Sequence, residues 1–238
     1  MKTNKILATT LALFVSTGAY AQTVDEIVDK HVAAMGGVEK LNTVKTLATE
    51  QEISVQGMEI PVKTVIVVGK SMRSESQIMG NSMISVVNGT TGWMVRPAMM
   101  GGTGEPEDMP AEQLKQSMGQ LNPFGSLVNY KDKGTTVELV GKEKVGKEDV
   151  YHLKVTTKEG QVVDQFLNAE TYMVSKVKTT VQGQNVEIDF SDYEDVEGIK
   201  MANTMEMDNP QAGHMVFSTN KITINGPVDE TVFKKPTK

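Results

Sequence analysis

From Val44 to Val68 the spacing of apolar side chains follows a period of two, as expected of pleated strands with one buried face. Leu47, Thr49, Gln51, Ile53 and Val55 share one side of a first strand. After a turn at Gln56-Gly57, Met58, Ile60, Val62, Thr64, Ile66 and Val68 share one side of the next. Pro61 cannot donate a ladder bond, which assigns it to an edge or a bulge. Upstream the period changes: Val24, Ile27, Val28, Val32 and Met35 have the spacing of one helix face, ended by Gly36-Gly37. His31 lies beside that stripe and reads as a structural or solvent-edge histidine rather than a ligand.

Two further runs, Lys70–Met79 and Ser82–Asn88, are separated by Gly80-Asn81, which supplies the positive backbone angles of a two-residue hairpin. Alternation puts Met72, Ser74, Ser76 and Ile78 on one side and Arg73, Glu75, Gln77 and Met79 on the other, where Arg73 and Glu75 can pair. The loop Asn88–Gly92 returns the chain into Gly92–Arg96. Pro97 then ends the ladder, and Gly101, Gly102 and Gly104 loosen the segment to Pro110. Pro110 opens a helix over Ala111–Gln120 with Leu114 and Met118 on one face, and Asn122-Pro123 predicts an N-cap and first residue for a second short helix through Val128.

After Gly134 come seven predicted strands: Thr135–Lys142, Asp149–Thr157, Gln161–Asn168, Tyr172–Val181, Asn185–Asp192, Lys200–Met207 and His214–Ile224. The segments between them, such as Lys158-Glu159-Gly160 and Asn209-Pro210, have ordinary turn chemistry. No domain linker interrupts them. The pattern predicts a mainly β, α+β chain built as one strongly curved antiparallel sheet or open barrel, with the helices available to fill it. The basic tail Phe233–Lys238 reads as frayed.

Composition adds the compartment. Met1–Ala21 carries Lys2 and Lys5, an apolar run from Ile6 to Val15, and Ala19-Tyr20-Ala21, the layout of a cleaved secretory signal, too short in its apolar run to span a bilayer. The expected mature chain has 238 − 21 = 217 residues, with 24 − 2 = 22 basic residues against 30 acidic ones, a net charge of 22 − 30 = −8. Such a chain is a poor partner for nucleic acid or an anionic membrane. With no cysteine it has neither thiol chemistry nor a lipidated anchor. A soluble, monomeric protein of the periplasm or exterior is expected, forming one domain over 22–238.

Candidate chemistry concentrates between Gly69 and Gly104, which hold both arginines, Arg73 and Arg96, the single tryptophan, Trp93, and six methionines. Thioether side chains suit an adaptable apolar surface. In order, Lys70-Ser71-Met72-Arg73, Asn88-Gly89-Thr90-Thr91-Gly92-Trp93 and the Pro97 loop resemble the periplasmic outer-membrane lipoprotein carriers, the LolA-like family. The Gly36-Gly37-Val38-Glu39-Lys40-Leu41 pattern is similar to that of uncharacterised LolA-like proteins. The resemblance implies an open half-barrel closed by a short helical lid over an apolar cavity for acyl chains. Its implied partners are a lipoprotein or other lipid and transient donor and acceptor membrane components. It places ligand contacts at Met72, Arg73, Met79, Met83, Trp93 and Met94, and at Met99, Met100, Leu114 and Met118 in the loop and lid. In this reading Arg73 latches the empty cavity closed.

Two other classes stay open. No pair among His31, His152 and His214 has zinc-ligand spacing, and neither H-E-x-x-H nor G-x-S-x-G occurs, so an enzyme would need a site assembled in space. Met99-Met100 and the Met205/Met207 strand face would suit Cu(I) handling. The acidic run Asp189–Glu197 lacks the ligand spacing of a calcium loop and reads as a solvated edge. No metal, cofactor or catalytic residue is assigned.

Overall fold

The computed structural model describes residues 22–181, 183–209 and 212–236. The expected signal segment therefore lies outside the described residues, as do Gln182, Pro210 and the last two residues of the tail. The described residues form one 13-stranded antiparallel sheet that curves without closing into a barrel. It comprises two meanders. The first is β1 (Thr46–Val55), β2 (Met58–Val67), β3 (Ser71–Ile78), β4 (Asn81–Asn88), β5 (Thr91–Val95) and the two-residue β6 (Glu107–Asp108). The second is β7 (Thr136–Val145), β8 (Glu148–Thr156), β9 (Val162–Asn168), β10 (Val174–Val181), β11 (Gln184–Val196), β12 (Ile199–Asn209) and β13 (Gly213–Ile224). β13 pairs with β1, so the end of the chain closes onto its beginning.

The period-two runs become strands because one face of each is buried. Leu47, Ile66, Met72, Val87 and Met94 of successive strands β1–β5 meet on the concave side with Met109 and Leu121. Pro61 sits opposite Glu52 of β1, just beyond the part of β2 that pairs with β3 from Val62 onward, so its missing N–H falls outside that ladder. The β3–β4 turn differs by one residue from expectation: Ile78 faces Asn81, leaving Met79-Gly80 as the two turn residues at φ 50° and 77°. Asn81 instead supports the turn by donating from Nδ2 to the Met79 carbonyl at 3.1 Å.

Helix α1 (Val24–Ala34) starts with a reciprocal cap: Glu26 N–H donates to Thr23 Oγ1, and Thr23 N–H donates to the Glu26 carboxylate. Its apolar stripe lies against β8 and β9 through Ile27, Val28, Leu153, Val155 and Leu167. Lys131 and Tyr130 both bond Asp25 and tie its first turn to the segment before β7. The next helix, α2 (Val38–Thr43), was not predicted. The Gly36-Gly37 pattern now has a physical cause. At φ 123°, Gly36 faces the β11–β12 turn so closely that a Cβ there would lie 2.4 Å from the Gly198 carbonyl oxygen. Lys200 N–H donates to the Met35 carbonyl beside it, and Leu41 packs with Val44, Phe124, Val128 and Ile199.

Helix α3 (Ala111–Met118) forms as expected and runs into a 3-10 turn at Gly119–Leu121. The second middle helix does not form. Asn122–Val128 is a run of turns in which Gly125 takes φ 77°, and Phe124, Leu127 and Val128 enter two different apolar clusters instead of sharing one helical stripe. The tail also departs from expectation. Glu230–Phe233 is a 3-10 turn, and Phe233 is buried against Val86, Trp93 and Val95 on the convex side.

Candidate functional site

The concave face holds a half-open cavity of about 440 Å³. Its floor comes from both meanders: Leu47, Thr49 and Gln51 of β1, Thr64 and Ile66 of β2, Met72 of β3, Val174 and Val177 of β10, Phe190 and Tyr193 of β11, Met201 and Met205 of β12, and Thr219 and Ile222 of β13. These residues converge because β1 lies beside β13, which brings the two apolar faces together around one curve. His31 of α1 and Met35 just after it form one wall, and Gln120 with Asn122–Leu127 forms another. A smaller cavity of about 250 Å³ lies against the same irregular segment, between it and Leu41, Asn42, Val44 and Lys45.

Most polar side chains of the wall are partnered within it. Gln51 Nε2 donates to Thr219 Oγ1 at 3.1 Å, Thr64 Oγ1 to Ser74 Oγ at 3.1 Å, and Gln165 Nε2 to Ser126 Oγ at 3.0 Å. Tyr193 donates its hydroxyl to the Val174 carbonyl at 2.8 Å, and burial pushes its phenol pKa upward. Lys200 contributes to the rim, with its ammonium 3.9 Å from the Asp195 carboxylate and 41% of its side chain exposed. His31 is 4% exposed, and its Nδ1 lies 2.8 Å from the Tyr172 carbonyl. Burial pulls its pKa below the ordinary histidine value.

Of the ten residues singled out by sequence, Met72 lines this cavity. Met94 is buried beneath it in the cluster with Met109 and Leu121, and Leu114 packs against that cluster. Gly92 makes this packing possible, since a Cβ there would lie 2.9 Å from Leu114 Cδ1. Met83 lies on β4 opposite Ser76 and is half-buried. Met79, Met99, Met100 and Met118 are exposed, and none of them lines the cavity.

The Pro97–Pro110 loop is held at its base by Arg96 Nε to Glu107 at 2.7 Å and by Gly104 N–H to the Arg96 carbonyl. Gly102 packs there so tightly that a Cβ would meet the Arg96 carbonyl oxygen at 2.1 Å.

Arg73 and Trp93 lie on the opposite, convex face. With Met72 pointing inward, its neighbour points outward. Arg73 pairs with Glu75 at 2.8 Å, stands 5.8 Å over the Trp93 ring and reaches the Val232 carbonyl at 3.4 Å. Trp93 Nε1 donates to the Phe233 carbonyl at 3.0 Å. These groups bind the C-terminal segment to the back of the sheet. The cavity residues missed by sequence, Phe190, Met201, Met205 and Ile222 among them, lie on late strands. Their alternation was visible, but their position opposite β1–β3 was not.

A curved antiparallel sheet left open, with short helices, is a LolA-like open half-barrel. Solved structures that share it include three with TM-scores above 0.5. A LolA superfamily protein from Nitrosomonas europaea has a TM-score of 0.59 at 14% identity, covering 90% of this chain and 99% of the other. A DUF1329 family protein from Desulfovibrio piger gives 0.59 at 16%, covering 89% and 97%. A domain from Vibrio parahaemolyticus, described as an outer membrane lipoprotein-sorting protein, gives 0.56 at 18%, covering 88% and 95%. A family model described only as "Uncharacterized protein" matches residues 71–237, and the chain belongs to that family, with a LolA-like fold. No curated protein matches the sequence significantly.

Proposed function

We propose that this protein is a lipid carrier, not an enzyme, which takes the acyl chain of a lipoprotein or other lipid into the concave cavity for transfer toward the outer membrane. The observation that carries this reading is the cavity: about 440 Å³, half-open, and floored by Leu47, Ile66, Met72, Val177, Phe190 and Ile222. That size falls within the range of about 300–1,000 Å³ typical of small-molecule sites. Burying about ten methylenes at roughly 0.8 kcal/mol each gives about 8 kcal/mol, enough to offset much of the cost of association when the site is preformed. The description of the Vibrio parahaemolyticus neighbour supports the same class of cargo. With its expected signal segment the chain would act in the periplasm, meeting donor and acceptor membrane components transiently. No helix among the described residues is long and apolar enough to cross a membrane.

Native mass spectrometry of protein exported with its own leader tests this reading, alongside a Thr49→Trp variant. Thr49 is on the cavity floor between Ile222 and Thr64, so an indole there occupies the space of the chain. The expected result is a co-purifying lipid or acylated peptide on the unmodified protein and at least tenfold weaker binding of an acyl fluorophore by the variant. An empty protein that binds the fluorophore equally well with or without the indole overturns the proposal.

A further inference from the structure

His31 is the one histidine on the inner wall, and its geometry fixes its tautomer. The Tyr172 carbonyl 2.8 Å from Nδ1 can only accept, so Nδ1 carries the proton and Nε2 is left as an acceptor. Nε2 has no hydrogen-bond partner among the described residues, although the residue is buried and lines the cavity. Gln165, the other buried polar side chain of this wall, is already engaged with Ser126. Lys200, the sole charged lining residue among those described, is partly exposed and lies 3.9 Å from the Asp195 carboxylate. The site therefore offers a ligand an unpartnered neutral acceptor at His31, beside the side-chain amides of Gln120, Asn122 and Gln165, and no inward-facing cation.

We infer that His31 Nε2 accepts a hydrogen bond from the polar end of the bound lipid, so that the cavity selects an apolar chain ending in an N–H or O–H donor over one without a donor. An amide-linked acyl chain and a hydroxyl-bearing acylglycerol both supply that chemistry; an ester without a hydroxyl does not. A ligand lacking the donor leaves Nε2 buried without water or partner, which is how a polar group in an apolar site discriminates. Burial keeps the imidazole neutral and so preserves the acceptor. The inference rests on the acyl-cavity reading and narrows its cargo.

The test compares binding of palmitamide, monopalmitoylglycerol and methyl palmitate to the full mature chain. At least one donor-bearing probe is expected to bind about fivefold to tenfold more tightly than methyl palmitate, the effect of one added hydrogen bond, and whichever does so identifies the source of the donor. His31→Asn keeps a donor for the Tyr172 carbonyl but loses the Nε2 acceptor, and should erase the preference. His31→Gln places an acceptor near the Nε2 position and should retain it. Within the unmodified protein, the ¹⁵N resonance of His31 Nε2 should move on adding the preferred probe and stay in place with methyl palmitate, a readout independent of variant folding. Equal binding of all three probes, an unchanged preference in His31→Asn, or an unmoved resonance overturns the inference while leaving the cavity reading intact. Failure of every probe to bind overturns both.

Discussion

At the scale of single residues, contact distances separate positions that merely tolerate a side chain from those that dictate one. Gly36 combines φ 123° with a carbonyl 2.4 Å from where a Cβ would be. Gly36→Ala should therefore cost at least about 2 kcal/mol, from backbone strain and displacement of the β11–β12 turn. Urea denaturation should show the midpoint falling accordingly. His31 yields a prediction in pH. Its native pKa is depressed by burial, so near pH 6.5 the unfolded chain takes up a proton that the native state refuses. Stability is then lost as pH falls from about 6.5 through the native pKa. His31→Asn removes this proton uptake, so its urea midpoint should fall less between pH 7 and pH 5 than that of the unmodified protein.

At the scale of elements, rarity in the sequence marked a structural clamp. The arginine and tryptophan that stand out by composition fasten Val232 and Phe233 to the convex face. Arg73→Leu should leave acyl binding and release unchanged. It should cost about 1 kcal/mol or less, because the pair with Glu75 is partly exposed and the contact over Trp93 is modest. Limited proteolysis should nick the C-terminal segment of this variant sooner, while a slowed release of an acyl fluorophore would restore the latch reading. All the longer strands were legible, since alternation directly reports a half-buried sheet, although β7 and β11 run three and four residues past their expected ends and the two-residue β6 was not expected. Asn122–Val128 was not. Asn122-Pro123 is a genuine helix-start signal, but Gly125 at φ 77° and the separate burial of Phe124 and Leu127 override it. Likewise, Met72 could be assigned a face from its neighbours, but a sequence does not say which distant strand will oppose that face.

At the scale of the whole molecule, the proposed carrier role requires the open sheet to admit a ligand without unfolding, and this requirement locates the moving part. The strands that floor the cavity are held by ladders on both sides, β13 to β1, with one register shift between Glu50 and Gln51, and β1 to β2. The wall at Asn122–Leu127 has no ladder: its internal backbone support is Gly125 N–H to the Asn122 carbonyl, with Asn122 N–H to Gly119 just before it. Open space lies on both of its sides, the cavity of about 440 Å³ and the smaller one of about 250 Å³. A displacement of this segment opens the cavity while breaking few backbone bonds, its cost being the lifting of Phe124 and Leu127 from their apolar clusters and the loss of the Gln165–Ser126 bond, whereas the Pro97–Pro110 loop is cross-tied at its base and does not line the cavity. Segments with little backbone pairing open at low free energy, and a ligand that binds only the closed form suppresses that opening. Hydrogen exchange should accordingly show fast exchange across residues 122–128 in the empty protein, protection there on adding an acyl ligand, and slow exchange at the centre of β1 in both states. At a hundredfold excess over Kd the ligand should add about 2.7 kcal/mol to stability, raising Tm by roughly 5–10 °C for a chain of this size. Ligand protection confined to the Pro97–Pro110 loop, with residues 122–128 unaffected, would assign the gate to that loop instead.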